Sequence, residues 1–572
     1  MGTIAELIVT ALADHGVTGV WGVVGDALNP VTDAIRREPR IDWIGVRHEE
    51  AGAFAVSAQA QLTGELGVCM GTVGPGAIHL LNGLYDAAKS HAPVLAIIGQ
   101  VPREEIGSDF FQEVDNDALF ADVAVFNRTV TSADQMPELL EQAVNAALTE
   151  RGVAVLSIPG DVGQLETEAR TIRFVRPPAP APIAAEDAES IATALNDARR
   201  VTLLVGDGAS GARDQVLRLA ETLAAPMVLT LKAKAPFDHE NPYEVGQSGL
   251  LGNHASAVAF DDCDVLLMLG TDFPYKNFYP KGKTVIQIDR VGRHIGRRTK
   301  VDHGAVGDVG ASLDVLLPML QAKTDRGHLE KARHSYERWT ERQAEVADPD
   351  FERKALGFIR RHLDNPDHRV RPEAVAASVN RHAADNALFT SDTGMSTVWL
   401  ARFVRMHGDR RLIGSYNLGS MANAMPQALG LSALDRSRQV IAFCGDGGLS
   451  MLMGDLITAV THELPVKLVV FNNGRLGMVK LEMEQVGLPE FGTVLHNPDF
   501  AAVAKALGMP GFRVERVGDL DAAVQQALAI DGPALIDVVT NPDEIAIPPK
   551  PTIEQGWGFA IAKTREFLDS AE

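Results

Sequence analysis

The stretch VIAFCGDGG at residues 440–448 decides the fold class of the C-terminal part of the chain. It predicts a buried strand at 440–443 that ends in a glycine-rich turn and leads into a helix. A second predicted strand, at 467–471, ends in FNN at residues 471–473. Parallel strands end at one edge of a sheet, so the side-chain oxygens of Asp446 and Asn473 are expected to converge there on one hard cation, for which Mg²⁺ is the best fit.

The glycines of this turn indicate what else binds beside the cation. Gly445, Gly447 and Gly448 let a phosphate approach the backbone closely, and the start of the following helix offers unpaired amide groups. Taken alone, GDGG is equally well a tight turn, because glycine clusters are common in loops. The FNN segment at the end of the neighbouring strand favours a metal-bridged diphosphate site.

The alternation of strands and helices extends over the whole chain and divides it into three units. The predicted strands are 19–23, 43–46, 67–70, 94–98 and 153–158 in the first unit, 201–205, 226–230, 265–269 and 285–288 in the second, and 387–391, 440–443, 467–471 and 534–538 in the third. This alternation is typical of parallel α/β sheets. The predicted fold class is therefore α/β, with three consecutive α/β domains and mainly parallel sheets.

Proline-rich breaks and one charged helical stretch set the predicted domain limits. These limits are an N-terminal domain at 1–176, a central domain at 183–323, a helical linker at 324–371, a C-terminal domain at 372–546 and a short C-terminal tail at 547–572. The linker between the first two domains contains RPPAPAP at 176–182, which fits neither a helix nor a central strand.

Composition and charge exclude several classes of function. The 572 residues include 53 Lys and Arg against 75 Asp and Glu, a net charge of −22, which disfavours binding to nucleic acid or to an anionic membrane. The three cysteines are far apart, which fits a reducing compartment. The N-terminus shows no export signal, and apolar runs such as 92–98 fall far short of the ~20 residues of a membrane span. We expect a cytoplasmic protein whose membrane contact is at most peripheral to the inner face of the cell membrane.

A second candidate site lies in VRHEEAGAFA at residues 46–55, where two glutamates stand at a strand-to-helix junction before small and apolar residues. A carboxyl group sheltered there can hold a proton and share it with a ring nitrogen of a ligand. The residues alone favour a simpler interpretation, in which Glu49 and Glu50 are solvated first-turn residues that interact well with the helix dipole.

Taken together, GDG at 445–447 and NN at 472–473 resemble the diphosphate and magnesium signature of thiamine-diphosphate enzymes. The resemblance implies that Asp446, Asn473 and the backbone carbonyl of Arg475 hold Mg²⁺, and that Glu49 activates the cofactor through its aminopyrimidine ring. It implies that Met421 is the wedge that bends the cofactor. It also implies further cofactor-lining residues, namely Thr393, Gly394, Gly419, Ser420, Gly445, Gly447 and Gly448.

The same resemblance gives the three domains their expected roles: pyrimidine binding, FAD binding and diphosphate binding, in chain order. In this family the cofactor lies between the first domain of one subunit and the third domain of another. A homodimer is then the smallest active unit, and we expect a homotetramer, the usual state in the family.

Within the family, the resemblance narrows to the branch of pyruvate oxidase and pyruvate:quinone oxidoreductase, which contains FAD. The segments that carry it are GDGASG at 206–211, GLLGNHA at 249–255, GTDFPY at 270–275, QID at 287–289 and GD at 307–308. From the residues alone these are ordinary loops of an α/β domain. The resemblance implies FAD contacts at Gly206, Gly208, Gly252, Asn253, His254, Ala255, Thr271, Asp272, Phe273, Pro274, Tyr275, Asp289 and Asp308.

Three further segments resemble the substrate-binding segments of this branch: FFQE at 110–113, GPGAIH at 74–79 and GMVKLE at 477–482. The resemblance implies contacts to the substrate or intermediates from Phe111, Gln112, Met478, Val479 and Glu482. Acetolactate synthases usually carry a Trp at the distance from the NN motif at which Glu482 stands here. Two positions depart from relatives: Ala27 replaces a frequent Ser, and Met478 replaces a Phe.

The expected function is oxidative decarboxylation of pyruvate to acetate and carbon dioxide by thiamine diphosphate, with electrons passing through FAD to a quinone. The alternatives are an acetyl-phosphate-forming pyruvate oxidase that uses O2, and a carboligase similar to acetolactate synthase. A catalytically silent scaffold is disfavoured by intact Glu49, Asp446 and Asn473.

Overall fold

The structure, a computed structural model, describes residues 2–168, 171–175, 177, 179–351, 365 and 367–544. The predicted tail at 547–572 lies outside the described residues, as do residues 176 and 178 of the first linker and residues 352–364 and 366 of the helical linker. In the part of the chain that is described, no helix combines the length and the apolarity needed to cross a membrane.

The N-terminal part forms a six-stranded parallel sheet in the spatial order β3-β2-β4-β5-β7-β6. The strands are β1 (Gly2–Thr3), β2 (Gly19–Gly22), β3 (Asp42–Gly45), β4 (Gly67–Gly71), β5 (Val94–Gln100), β6 (Ala124–Thr129), β7 (Val153–Pro159) and β8 (Glu166–Thr167), of which β1 and β8 form a separate antiparallel pair. The helices are α1 (Ile4–Asp14), α2 (Asn29–Arg37), α3 (Glu49–Thr63), α4 (Pro75–His79), α5 (Leu81–Lys89), α6 (Asn116–Leu119) and α7 (Met136–Glu150).

The central part forms a second six-stranded parallel sheet, in the order β11-β10-β9-β12-β13-β14. Numbered within the domain this is 3-2-1-4-5-6, the order of dinucleotide-binding sheets, with its switch point between β9 and β12. The strands are β9 (Val201–Val205), β10 (Met227–Leu229), β11 (Glu244–Gln247), β12 (Val265–Leu269), β13 (Thr284–Asp289) and β14 (His303–Val306). The helices are α8 (Ala185–Asp197), α9 (Arg213–Thr222), α10 (Lys234–Phe237), α11 (His254–Asp262) and α12 (Val309–Leu316), followed by α13 (Gly327–Ala347) in the predicted linker.

The C-terminal part forms the third parallel sheet, in the order β16-β15-β17-β18-β20-β19. The strands are β15 (Leu388–Ser391), β16 (Arg411–Gly414), β17 (Val440–Gly445), β18 (Val466–Asn472), β19 (Gly511–Val514) and β20 (Ala534–Val539). The helices are α14 (Pro372–His382), α15 (Met395–Phe403), α16 (Ala424–Leu434), α17 (Asp446–Met451), α18 (Leu456–Thr461), α19 (Gly477–Gln485), α20 (Phe500–Ala506) and α21 (Val517–Leu528). Numbered within each domain, the first and third sheets share the order 2-1-3-4-6-5. The predicted fold class is confirmed.

The first and third sheets are joined by close packing of α3 against α16, and one apolar core extends across both domains. Gly430 permits this approach, since a Cβ atom at that position would lie 2.2 Å from the carbonyl oxygen of Ala55. The same interface buries the carboxyl group of Asp86, which accepts hydrogen bonds from Ser57 at 2.7 Å and Gln427 at 3.1 Å. Burial raises the pKa of Asp86.

The central domain is joined to the C-terminal domain by a buried ionic cluster. Asp238 lies 2.9 Å from the Lys234 ammonium group and 3.0 Å from the guanidinium group of Arg405, which comes from the C-terminal domain. Tyr336 of α13 donates a hydrogen bond to Glu244 at 3.0 Å and lies 3.3 Å from Arg405. Three parts of the chain are therefore held together by one network of charges.

Candidate active site

Asp446 lies at the switch point of the third sheet, where β15 and β17 are neighbours and the strand order reverses. Its side chain is 2% exposed. Oδ1 accepts a hydrogen bond from the Gly447 amide at 2.9 Å, and Oδ2 accepts from the Gly474 amide and from the Asn497 side chain, both at 2.7 Å. Burial raises the pKa of Asp446 to about 6, although these bonds lower it.

The other two predicted metal ligands lie in the turn directly after β18. The Asn473 side-chain oxygen accepts a hydrogen bond from the Arg475 amide at 3.0 Å. The turn is held against residues 493–495, because the Leu476 amide donates to the Thr493 carbonyl and the Leu495 amide to the Gly474 carbonyl, both at 2.8 Å. The Gly474 amide ties this turn to Asp446, so the structure brings the predicted metal ligands to one edge of the sheet.

These groups fit a magnesium diphosphate. The donors to Asp446 are all neutral, so a divalent cation would favour the charged form of this buried carboxylate. Gly445 and Gly394 face open space, since a Cβ atom built at either position meets no heavy atom within 4 Å. Gly394 has φ 144°, a conformation that side chains disfavour. The site thus combines side-chain oxygens with open backbone, and a metal-bound diphosphate there stays a prediction.

The segment around Met421 packs beside this edge. The Met421 Cε lies 3.4 Å from the Cβ position built on Gly447. The Thr393 amide donates to the Ser420 carbonyl at 3.3 Å, and the Ser420 amide donates to the Ser415 hydroxyl at 3.1 Å. The predicted cofactor-lining residues of the C-terminal domain therefore lie together, with Gly419 in the left-handed region at φ 82°.

Sequence reasoning missed two polar residues of this site. Asp392 directly follows β15 and accepts hydrogen bonds from the amides of Ala424 at 2.9 Å and Gly445 at 3.0 Å. Burial raises its pKa to about 7. Asn497 connects Asp446 to Asn472. The position of Asp392 at a strand end was a usable signal, whereas Asn497 stands in a loop that no pattern marks.

Glu49 begins α3 and is 6% exposed. Its Oε2 lies 2.9 Å from Nδ1 of His79, the last residue of α4. His48 is the N-cap of α3, and its ring stacks on that of His79 at 4.3 Å between centroids. Glu49 also lies against Gly76, where a Cβ atom would be 3.1 Å from Oε1. The predicted activating glutamate is sheltered, and the GPGAIH segment covers it.

The predicted substrate residues of the N-terminal domain lie in a strained loop beside that segment. Asp109 and Gln112 adopt positive φ values of 60° and 66°, a conformation that costs energy and often occurs at functional sites. Glu113 holds the loop by accepting hydrogen bonds from the amides of Gly107 and Phe110. The Gln112 backbone packs against Gly74, and Phe111 is 78% exposed. Gln112 thus lies near the segment that covers Glu49.

The predicted substrate residues of the C-terminal domain share helix α19. Met478 packs against the apolar core of that domain, whereas Val479 and Glu482 are exposed. Met478 and Val479 stand four and three positions before Glu482, so each is its neighbour on the surface of the helix. Burial and the nearby charge of Glu482 raise the pKa of Tyr275, which belongs to the central domain. The charge of a predicted substrate residue thus acts on a predicted flavin residue.

At the switch point of the central sheet, glycines let two loops pack together. A Cβ atom on Gly206 would lie 2.4 Å from the Thr271 Cβ, and one on Gly208 would lie 2.8 Å from the Gly270 Cα. Asp289 ends β13, accepts a hydrogen bond from the Val291 amide at 2.9 Å and is 5% exposed. These positions stand where a dinucleotide binds such a sheet.

Other predicted flavin residues have structural roles of their own. Asn253 and Asp308 are the N-caps of α11 and α12. Asp272 forms ion pairs with Arg297 and Arg298, and Phe273 packs edge-on against Tyr275. The remaining members differ in exposure, with Gly252 and Ala255 buried and His254 and Pro274 exposed.

A group of positive side chains lies where the N-terminal and central domains meet, and sequence reasoning did not identify it. We use the name cationic groove for the cluster of His91, Arg151, Lys232, Arg290, Arg293 and His294, on which the acidic Asp207 and Asp289 also act. Burial, together with the charges of the neighbouring groove residues, lowers the pKa of His91 to about 4. Burial and the charge of Arg290 also lower the pKa of Arg151. An anionic ligand in the groove would relieve this repulsion.

The three-domain arrangement and the site at the third sheet together define an enzyme of the class that uses thiamine diphosphate, also called thiamine pyrophosphate. Three family models match in chain order. They are the N-terminal TPP-binding domain of thiamine pyrophosphate enzymes at residues 2–119, the central domain at 188–316 and the C-terminal TPP-binding domain at 392–538. The chain belongs to the thiamine pyrophosphate enzyme family.

Curated relatives extend over nearly the whole chain. The putative thiamine pyrophosphate-containing protein YdaP of Bacillus subtilis is 37% identical over 571 residues, which cover 99% of this chain and 96% of that protein. The pyruvate oxidase of Lactiplantibacillus plantarum is 32% identical over 94% of this chain and 88% of its own length. The acetolactate synthase of Mycobacterium bovis is equally similar, at 32% identity and the same coverage.

Proposed function

We propose that this enzyme oxidatively decarboxylates pyruvate to acetate and carbon dioxide and passes the two electrons through FAD to a quinone. The proposal goes beyond membership of the family, since the pyruvate oxidase and acetolactate synthase relatives are equally similar to this chain. It rests on how the central domain is built and on how it meets the C-terminal domain.

The observation that carries the proposal is the electrostatic effect of Glu482 on Tyr275. Tyr275 belongs to the segment after β12, at the switch point of a sheet with the strand order of dinucleotide-binding domains. Glu482 acts on that phenol with its charge and lies one helical turn from Met478. A flavin bound in the central domain would thus reach the edge of the pocket in which substrate reacts.

The cationic groove supports a dinucleotide in this domain. Its positive side chains lie close enough to depress one another's proton affinity, and two phosphates carry the charge that would neutralise them. Gly206 and Gly208 place the loop of the neighbouring switch point with little side-chain bulk. These features support FAD as the ligand.

Each proposed site residue has a task in this scheme. Asp446, Asn473 and the Arg475 carbonyl hold Mg²⁺, Met421 supports the bent cofactor, and Glu49 holds a proton at the ring nitrogen of its pyrimidine. Thiamine diphosphate supplies the electron sink for decarboxylation, and FAD takes up the electrons. The substrate pocket is formed by Phe111, Gln112, Met478, Val479 and Glu482, which also exclude water.

We further propose that the active unit is at least a homodimer, and that a homotetramer forms. Within one chain, the contacts of Glu49 are with His79 and Gly76 of its own domain, whereas Asp446 is surrounded by residues of the C-terminal domain. Phe111 and Phe491 are 78% and 83% exposed, which suits a surface that a second subunit covers. We also propose the domain limits that the sequence predicts, at 1–176, 183–323, 324–371, 372–546 and 547–572.

A carboligase similar to acetolactate synthase is the second candidate, because that relative matches the chain as well as the pyruvate oxidase does. In that case a second keto acid, and not FAD, would react with the bound intermediate. Glu482 speaks against it, since a carboxylate is a poor replacement for a bulky Trp that shapes a pocket for the second acid.

A product assay tests the proposal. The holoenzyme is given pyruvate with a soluble quinone, with O2 or with O2 and phosphate, and acetate, acetyl phosphate and acetoin formed after acid treatment are measured. Quinone-dependent acetate supports the proposal. Acetyl phosphate formed with O2 would show that O2 is the electron acceptor and phosphate the acyl acceptor. Acetoin in the absence of any electron acceptor, without acetate, would contradict it in favour of carboligation.

A further inference from the structure

The side chain of His79 is the neighbour of Glu49 that reaches the surface. The Glu49 side chain is 8% exposed and that of His79 is 42% exposed, and Nδ1 of His79 lies 2.9 Å from Oε2 of Glu49. A buried carboxyl group that must take up and release protons needs a connection to water. The imidazole ring offers one, because one of its two nitrogens can accept a proton while the other donates one.

The surroundings of His79 fix its ring for this purpose. His48 is held as the N-cap of α3, where its side chain accepts a hydrogen bond from the Glu50 amide at 3.3 Å. Its ring stacks on that of His79 with an angle of 26° between the planes. Glu49 occupies one ring nitrogen of His79, so the other nitrogen is left for water or substrate.

The same three side chains form a donor set of two imidazoles and a carboxylate, which is known from zinc sites. Two features argue against a metal here. Stacked rings hold their lone pairs in nearly parallel planes, whereas metal ligands must converge on one point. The separation between His79 and Glu49 is that of a hydrogen bond, which requires a proton between the two atoms.

We propose that His79 is a positioning residue that relays protons between solvent and the carboxyl group of Glu49. In the inward direction, water protonates Nε2, and the proton on Nδ1 passes to Oε2, which leaves a neutral ring protonated at Nε2. In the outward direction, Oε2 returns a proton to Nδ1, and Nε2 releases its proton to water. No electrons move, and the two directions restore the ring to its starting form.

This inference rests on the proposed role of Glu49, and its test measures proton movement without pyruvate. The rate at which the C2 proton of bound thiamine diphosphate exchanges in deuterium oxide is followed by acid quench and NMR. The proteins compared are the unmodified holoenzyme, Glu49→Gln, His79→Gln, His79→Gly with and without imidazole, and His48→Asn. The dissociation constant for thiamine diphosphate is measured for each.

His79→Gln distinguishes proton relay from simple orientation of Glu49. Its amide can donate a hydrogen bond to Glu49 but has no basic nitrogen that can take up a proton. We expect exchange to slow by about a hundredfold or more with the dissociation constant unchanged, the lower end of the usual range of acid–base effects. Exchange in His79→Gly should be equally slow and should rise with imidazole concentration. His48→Asn keeps an N-cap oxygen but loses the ring stacked on His79, so its exchange should slow less than that of His79→Gln.

Two results would overturn the relay: exchange at the unmodified rate in His79→Gln, or a slow His79→Gly that imidazole does not rescue. A different result would reject the role of Glu49 itself. If Glu49→Gln exchanges as fast as the unmodified enzyme, the proposed function fails at its first step, and the failure is then not one of His79.

Discussion

The charge of the Glu482 carboxylate in the C-terminal domain acts on the phenol of Tyr275 in the central domain. Burial together with this negative charge raises the pKa of Tyr275. Glu482 is exposed on α19, and Tyr275 is 44% exposed after β12. Within one chain, the proposed substrate pocket and the proposed flavin site are therefore coupled through charge.

A mixing experiment tests whether the active site is shared between subunits. Glu49→Gln and Asp446→Ala each remove one half of the proposed site, and each is expected to be inactive by itself. Co-expressed with two different tags, mixed dimers would contain one intact site of two, so random assembly should restore about a quarter of the unmodified activity. Purified mixed dimers without activity would show that Glu49 and Asp446 of the same chain act together.

The stability of the fold should fall at acidic pH because of His91 in the cationic groove. The pKa of His91 is about 4 in the fold, below the ordinary value near 6.5, so the unfolded chain binds a proton that the folded chain refuses. Stability from this site is present above pH 6.5 and is lost as the pH falls towards 4, by about 2 kcal/mol at pH 5. Without flavin, His91→Asn should escape this loss, and Asn tolerates the φ of 55° at this position.

The measurement is the unfolding midpoint at pH 7.5 and at pH 5, with and without added FAD. Bound FAD should reduce the extra acid loss of the unmodified protein, because an anionic diphosphate favours the protonated ring. If the unmodified protein and His91→Asn lose the same stability on acidification, the pKa of His91 is not lowered by its surroundings. If FAD leaves the difference unchanged, FAD binds away from the groove.

Asp238→Asn should destabilise the joint between the central and C-terminal domains. The change leaves the cations of buried Lys234 and of Arg405 without their counter-charge, which costs about 3–5 kcal/mol in buried networks. Asp33→Asn is the matched control, since Asp33 pairs with Arg36 and Arg37 on the surface. Urea unfolding followed by far-UV circular dichroism compares the two. Equal midpoints would contradict a structural role for the buried cluster.

Gly430→Ala tests the packing of α3 against α16. The added methyl group would stand 2.2 Å from the Ala55 oxygen, so the helices must separate, at a cost of about 1–3 kcal/mol. Gly518→Ala in α21 is the control, because nothing lies within 4 Å of the added atom. We expect thermal unfolding at a lower temperature in Gly430→Ala alone. A stabilising effect at both positions would mean that the interface is looser than described.

The strands that sequence reasoning found and missed follow a physical rule. All central strands were predicted, since each is an apolar run buried on both faces. In the three six-stranded sheets, strands β6, β11, β14, β16 and β19 were not predicted, and all five lie at sheet edges; the short pair β1 and β8 was also not predicted. In β6 and β14 exposed residues interrupt the burial, and β11 contains the polar residues Glu244 and Gln247. None of these three strands therefore shows a continuous apolar run.

The site shows the same division between local and long-range information. Asp446 and Asn473 stand at the ends of neighbouring strands, so a sequence pattern predicted that they would lie at one edge. The groups of the cationic groove come from two domains, and His91 and His294 are far apart in sequence although their rings lie 5.7 Å apart. Such a cluster depends on how domains pack, which no local pattern encodes.

An anaerobic measurement with pyruvate, in which flavin absorbance and released carbon dioxide are followed together, tests directly whether FAD takes up the electrons. We expect the flavin band to bleach, with one carbon dioxide released per flavin, and Glu49→Gln to abolish both signals. Glu482→Gln should slow the bleaching while FAD stays bound. A flavin that remains oxidised while more than one carbon dioxide is released per flavin would contradict oxidation by FAD and establish carboligation.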